Sequence, residues 1–445
     1  EIMLAKFKKK YIGDWDFYQK YLLLAIPMIL QNAITNLVSF LDNIMVGQLG
    51  TEQMSGVAIV NQLIFVYNLA IFGAVSAASI FGAQYFGKGN HKGHMYSFRF
   101  KLYATLLVTG GAILLFLTKG SALISLYLTD TVGNGATDLA LQYGLEYLAI
   151  MMVGLIPFAV NQSYATNIKE TGQTFIPMLA SFVAVGTNAI LDYLMIFGIG
   201  PFPELGVQGA ALATVIARYI EALIVVIWAH IHRGKNRYLE GAYTGFGIPL
   251  AELKAILIKG FPLMMNEVLW AAGMTTVTQC YSVRGLDVVA GLNIASTITN
   301  LFNIVYLQLG SCISIVVGQY LGAGKLEDAK DADNKMIVFS VFCCVIMAAL
   351  MFVVGGFFPG IYNTTEEIRE LATSFIAVSA IIMPFCAFSH ASYFTLRSGG
   401  KTVVTFLFDS VFTWVIVVPA AYLLAHVTGL GICLLYTSPS PRDRS

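Results

Sequence analysis

Charge is scarce in this chain. Of its 445 residues only 11% are Asp, Glu, Lys or Arg, and 26 basic residues nearly cancel 25 acidic ones to leave a net charge of +1. No block of basic residues offers the footprint that nucleic acid phosphates demand, so no nucleic-acid partner is expected. Cysteine is sparse as well, and the six present show neither metal-ligand nor redox spacing; no cofactor is expected. Cys280, Cys312, Cys343, Cys344 and Cys386 fall in apolar runs, where they read as small hydrophobes. No small-residue cleavage site follows the basic stretch "KFKKKYIGDWDFYQK", so the apolar run behind it is expected to persist as a helix and act as its own insertion signal.

What fills the chain instead is apolar. Hydrophobic residues make up 57% of it and the mean hydropathy is +0.73, whereas soluble domains hold about 45–50% apolar residues. Runs such as 21–46, 102–117, 205–229 and 336–358 suit helices crossing a hydrocarbon layer ~30 Å thick. Strands of a membrane barrel would alternate over about ten residues, which these do not. Breaks at charged or Gly/Pro-rich stretches predict eleven spans near 20–46, 56–82, 98–118, 140–167, 174–198, 205–231, 254–282, 287–318, 334–357, 368–396 and 403–427, followed by a stub. Lys6, Lys8, Lys9 and Lys10 precede the first span, and alternate loops carry Lys88, Lys92, Lys169, Arg233, Lys235, Arg237, Lys325, Lys330, Arg397 and Lys401. The opposite loops hold Lys119, Arg284 and Arg369. The positive-inside rule then places the N-terminus in the cytoplasm.

The chain also repeats itself. A shift of 235 residues lays Pro27 on Pro262, Gly50 on Gly285, Gly56 on Gly291, Asn68 on Asn303 and "GAQYFGKG" on "VGQYLGAG"; a shift of 228 lays "IKETGQT" on "LRSGGKT". Two homologous halves are expected, 1–235 and 236–432, joined by the cytoplasmic loop "HIHRGKNRYLEGAYTG". An even number of spans per half inserts both halves in one orientation. The predicted fold is therefore an all-α polytopic membrane protein of two six-helix bundles related by a pseudo-twofold along the membrane normal, an arrangement suited to alternating access. The twelfth helix is expected to be cut short, because the apolar run ends within seven residues and "SPSPRDRS" cannot continue it. Residues 433–445 resemble a translated sequencing adapter and are expected to be non-native.

A carboxylate at a helix centre costs about 2.5–3.5 kcal/mol on insertion scales, so each acid inside a span calls for a partner or a cavity. Asp42 ends a polar stripe in the first span: Asn32, Thr35, Asn36, Ser39, Asp42 and Asn43 recur at spacings of three and four. That face is expected to look at water or protein, the alternative being an acid that snorkels to the outer headgroups. Asp192 lies at similar depth in the fifth span, with Asn188 one turn inward. Two carboxylates within about 4–6 Å of each other would share a proton or a cation, Na⁺ included. Arg218 and Glu221, three residues apart, are expected to form an internal ion pair. Glu146 and Asp409 lack such stripes, and His390 reads as a core histidine rather than a proton relay. Glu267, beside Asn266 in the seventh span, and Asn293, Ser296, Thr297, Asn300 and Asn303 in the eighth predict a polar wall able to attract a cationic substrate.

The segments "IPMILQNAITNLVSFLDNIMVGQLG", "NAILDYLMIFGIG", "GVQGAALATVIAR", "GFPLMMNEVLWAAG" and "GQYLGAGK" together resemble the multidrug and toxic compound extrusion (MATE) family over about residues 6–432. The resemblance implies export of amphipathic, often cationic compounds in exchange for H⁺ or Na⁺. It makes Asp42 the helix-1 aspartate of cation coupling, Asn188 and Asp192 its helix-5 partners, and Thr214 a helix-6 hydroxyl of the same site. Glu267 resembles the helix-7 glutamate of the sodium-coupled branch; that branch also uses a helix-10 aspartate, which is missing here, and this moves the expected site to the N-terminal half. It implies a monomer in a prokaryotic inner membrane, contacting lipid and small-molecule substrates. Two rivals fit less well. A lipid-linked oligosaccharide flippase of the same superfamily needs a basic cavity, and Arg218 is the one basic residue read as deep in a span; an intramembrane aspartate-dependent enzyme would need a catalytic motif, and none is found.

Overall fold

A computed structural model describes residues 10–128, 134–245, 247–282, 285–362 and 364–426. Lys6, Lys8, Lys9, Arg284, the stub of the twelfth span and the 433–445 tail lie outside the described residues. Lipid offers the backbone no hydrogen bonds, so long apolar runs satisfy their N–H and C=O groups internally as helices. Among the described residues the chain is helical without a strand. Ten helices are long and apolar enough to cross a membrane, and a bent pair makes an eleventh.

They run α1 Trp15–Gly47, α2 Thr51–Gly87, α3 His91–Ser125, α4 in two arms Asn134–Val153 and Leu155–Glu170, α5 Phe175–Ile196, α6 Val207–Ile231, α7 Leu250–Ser282, α8 Leu286–Gly322, α9 Leu326–Gly355 and α10 Glu366–Ser398. The last, α11 Thr402–His426, contains π-helical turns at Leu407–Val411 and Thr413–Val417. Most helices outrun the predicted spans, because their polar ends continue past the apolar runs that mark the membrane. The arms of α4 meet at 44°. Gly154 sits at the break, where an added Cβ would lie 3.0 Å from Val215 Cγ2 and 3.3 Å from Arg218 Cδ, so a larger residue would push on α6.

The turn glycines follow the repeat. Gly50 and Gly285 have φ of 141° and 121°, Gly89 and Gly324 have 71° and 75°, and Gly172 and Gly400 have 82° and 71°. Side chains other than hydrogen rarely adopt such values, so the shared glycines preserve matched turns.

Contacts divide the chain into two compact units. The first comprises Leu30–Gly82 and Asn90–Lys254; the second comprises the described residues up to Ile29, Ala83–Gly89, and those from Ala255 onward. In the first, Val57, Val60, Ile64 and Ile71 of α2 pack with Tyr147, Leu148 and Met151 of α4 and Val207, Ala210 and Ala211 of α6. In the second, Ala295, Phe302 and Tyr306 of α8 pack with Phe375, Ile376 and Ala380 of α10. There too the repeated Q-Y-x-G segments cross: a Cβ on Gly87 would strike the Gln319 carbonyl, and one on Gly322 the Gln84 carbonyl.

Candidate functional site

Four residues singled out for cation coupling converge in the first unit. Asp42 on α1 and Asp192 on α5 meet carboxyl to carboxyl. Asp192 is 1% exposed, and the i, i+4 spacing puts Asn188 on the same face, beside it. The Asn188 amide donates to Thr214 Oγ1 of α6 at 3.5 Å, and Thr214 in turn donates to Ala210 O at 3.0 Å. Asp42 Oδ1 and both Asp192 oxygens are buried without a hydrogen-bond donor. Two ionised carboxylates in this position repel each other. The arrangement therefore accepts one proton shared between them, or a hard monovalent cation that favours oxygen ligands.

Tyr147, which periodicity did not reveal, completes the site. It is 5% exposed, lies within electrostatic reach of both carboxylates, and donates from its hydroxyl to Asn61 Oδ1 at 3.3 Å. It stands two turns before the bend of α4, and only the tertiary packing brings it to the pair.

The rest of the α1 stripe remains open. Asn36 and Ser39 are exposed and Asn32 is half-buried; the Asn36 amide donates to Asn32 O at 3.0 Å and the Ser39 hydroxyl to Thr35 O at 3.1 Å. Folded back on their own helix, these groups keep their polarity without needing a partner from another. Glu267, Asn293 and Asn300 belong to the second unit: Glu267 is buried on α7, and Asn293 and Asn300 are exposed on α8. Asn266, next to Glu267, donates to Asp409 Oδ2 at 2.7 Å and accepts from Ser410 at 2.7 Å. Glu146 accepts from Gln142 at 3.0 Å and from Gln208 at 3.1 Å. His390 packs 5.0 Å from the Tyr306 ring, as a core histidine does.

Two expectations are corrected. Arg218 and Glu221 form no ion pair. The Arg218 guanidinium reaches Gly154 O at 3.4 Å and lies 5.2 Å over Phe158, while Glu221 accepts from Ser181. Groups on neighbouring helices outcompete the local i, i+3 geometry. Nor is Arg218 the one basic residue deep in the helices. Lys101 on α3 is 0% exposed and donates to Glu170 Oε1 and Asn167 Oδ1, both at 2.5 Å, and His94 lies 3.3 Å from Glu170 Oε2. Glu170 cancels that charge locally, so the cluster adds no basic cavity.

Long apolar helices in two compact units, with a largely buried carboxylate pair inside one of them, fit a multi-pass membrane transporter. The family profile described as MatE matches residues 27–194 and 262–423, and the chain belongs to that family of multidrug (MATE) transporters. The two matches start at Pro27 and Pro262, the same offset of 235 residues at which the sequence repeats. A relative from Thermotoga maritima, "Probable multidrug resistance protein NorM", is 23% identical over 92% of this chain and 86% of its own length. One from Halalkalibacterium halodurans with the same description is 24% identical, over 92% and 88%. Among solved structures, an outward-facing multidrug resistance MATE transporter of the MOP superfamily superposes with a TM-score of 0.84 at 20% identity, covering 96% of this chain and 92% of the other. A MOP superfamily transporter from Pyrococcus furiosus gives 0.81 at 20%, with the same coverage.

Proposed function

We propose that the protein is a secondary active antiporter that exports amphipathic, cationic small molecules by alternating access, driven by H⁺ or Na⁺ entering through Asp42 and Asp192. The observation that carries this reading is the meeting of those two carboxylates with no donor between them. A cation arriving from outside neutralises the pair, and its release on the other side restores the repulsion, so occupancy biases α1 and α5. One positive charge moving inward through 100 mV releases about 2.3 kcal/mol, enough to drive uphill export. Asn188 and Thr214 orient Asp192, and the open face of Asn32, Asn36 and Ser39 receives the substrate's polar groups. Glu267, with Asn293 and Asn300, supplies a second polar wall for a cationic substrate.

The lysine and arginine distribution supports an N-terminus in the cytoplasm, and the bacterial and archaeal relatives support a prokaryotic cytoplasmic membrane. The protein works as a monomer, with lipid and substrate as its partners and no cofactor. Efflux of a fluorescent lipophilic cation from vesicles under separately imposed proton and sodium gradients tests the reading. One of the two gradients is expected to drive efflux in the parent and to fail in Asp42→Asn; undiminished coupled efflux in both Asp42→Asn and Asp192→Asn would refute it.

A further inference from the structure

Below the carboxylate pair, the same helices build a second polar level. Gln31 Nε2 on α1 donates to Ser181 Oγ on α5 at 2.7 Å, and Ser181 donates to Glu221 Oε1 on α6. Asn161, on the second arm of α4, also bonds to Glu221. The register is regular. Gln31 lies eleven residues before Asp42 and Ser181 eleven before Asp192, about three helical turns or ~16 Å on the same faces. Ser181 and Glu221 are each seven residues, two turns, from Asn188 and Thr214, which meet one level up. Glu221 makes no ion pair among the described residues: the charged groups facing it are Lys169 on α4 and Arg218 on its own helix, and Arg218 reaches for Gly154 instead. Asn161 is 4% exposed and its Oδ1 has no donor, and neither does the buried Oε1 of Gln31. Lys169 and Arg218 act on the Glu221 carboxylate from a distance without pairing with it, and the two orphaned acceptor oxygens beside it remain unsatisfied, so a small cation would complete the oxygen set.

The repeat sharpens the contrast. Shifts of 235 and 228 residues carry Gln31 to Asn266 and Ser181 to Asp409, and that pair also meets, at 2.7 Å. There Ser410 donates to Asn266 Oδ1, so the corresponding amide oxygen is satisfied, whereas that of Gln31 is not.

We propose that Glu221, Asn161, Ser181 and Gln31 form a second monovalent-cation site, holding H⁺ or Na⁺, to which the Asp42–Asp192 pair hands its ion along Ser39 and Thr35. It rests on the antiport reading and deepens it to two cation-binding levels in one bundle. The test counts cations on the purified full chain, independently of transport, by potentiometric proton titration and by equilibrium binding of radioactive Na⁺. Glu221→Gln is expected to remove one cation from one of these counts, in addition to the one removed by Asp42→Asn, while Ser181→Ala keeps the count and moves the midpoint of that step. Folding of each variant is checked by thermal unfolding. Both counts unchanged in folded Glu221→Gln, or a Ser181→Ala midpoint identical to the parent's, overturns the second site. Absence of gradient-driven efflux in the parent overturns the antiport reading instead, so the two failures are distinguishable.

Discussion

Asp42 and Asp192 meet carboxyl to carboxyl, with the Asn188 amide beside Asp192. Their mutual need for a cation links the two positions, so their substitutions are expected not to add. Asp42→Asn and Asp192→Asn should each abolish the contribution of the coupled charge. About 2.3 kcal/mol per 100 mV corresponds to a roughly 50-fold loss in the substrate gradient the vesicles can sustain. The double variant is expected to lose no more than either single one, as read from end-point accumulation at a clamped potential.

Gly87 and Gly322 pack backbone to backbone, each against the glutamine carbonyl of the other segment. Alanine at either position forces the crossing helices apart, and overpacking of this kind costs about 1–3 kcal/mol. A Cβ added to Gly110 on α3 would meet nothing within 4 Å, so Gly110→Ala should hold or raise stability through helix propensity. Thermal unfolding in detergent is expected to rank Gly110→Ala above the parent or level with it, and Gly87→Ala and Gly322→Ala below.

Much of this was legible without coordinates, for physical reasons that differ by residue. Hydropathy marked each span because lipid imposes it, and the Asn188–Asp192 spacing placed two side chains on one face because helix geometry does. The bend at Gly154 went unread because the apolar run continues through it, although Pro157, with no N–H to donate back to Val153, stands three residues on. Arg218 and Glu221 stand at ion-pair spacing, but their partners come from other helices, which spacing along one helix does not report. Lys101 and Glu170 are 69 residues apart, and each alone resembles a solvated residue at a cytoplasmic helix end. Tyr147 reaches the carboxylate pair by tertiary packing, with no polar periodicity to announce it.

Arg99 ties down the segment that follows α6. Its guanidinium donates to the carbonyls of Ala242 at 2.9 Å, Gly247 at 2.8 Å and Gly241 at 2.6 Å. A planar fork of donors makes all three bonds at once, and an ammonium cannot reproduce that geometry. Arg99→Lys is expected to speed proteolytic cleavage between residues 237 and 247 several-fold with efflux retained; unchanged cleavage would show that the Tyr164–Tyr243 contact holds the segment alone.

Lys101 and Glu170 form a buried pair in which neither charge reaches water, with side chains 0% and 3% exposed. Removing one partner of such a pair leaves the other's charge uncompensated, at a cost of about 3–5 kcal/mol, whereas replacing both with neutral groups avoids most of that penalty. Lys101→Met and Glu170→Gln should therefore each lower the unfolding temperature steeply, Lys101→Met the more so because Glu170 would be left beside the His94 ring, which carries a charge only when protonated. The double variant should recover most of the loss. Gly82 adds a second check: its missing Cβ makes room for the Glu170 carboxylate, so Gly82→Ala in the parent should mimic part of the Glu170→Gln defect while adding little to it. A thermal-unfolding cycle over these variants decides the matter, and additive losses for Lys101→Met and Glu170→Gln would mean the two side chains act independently.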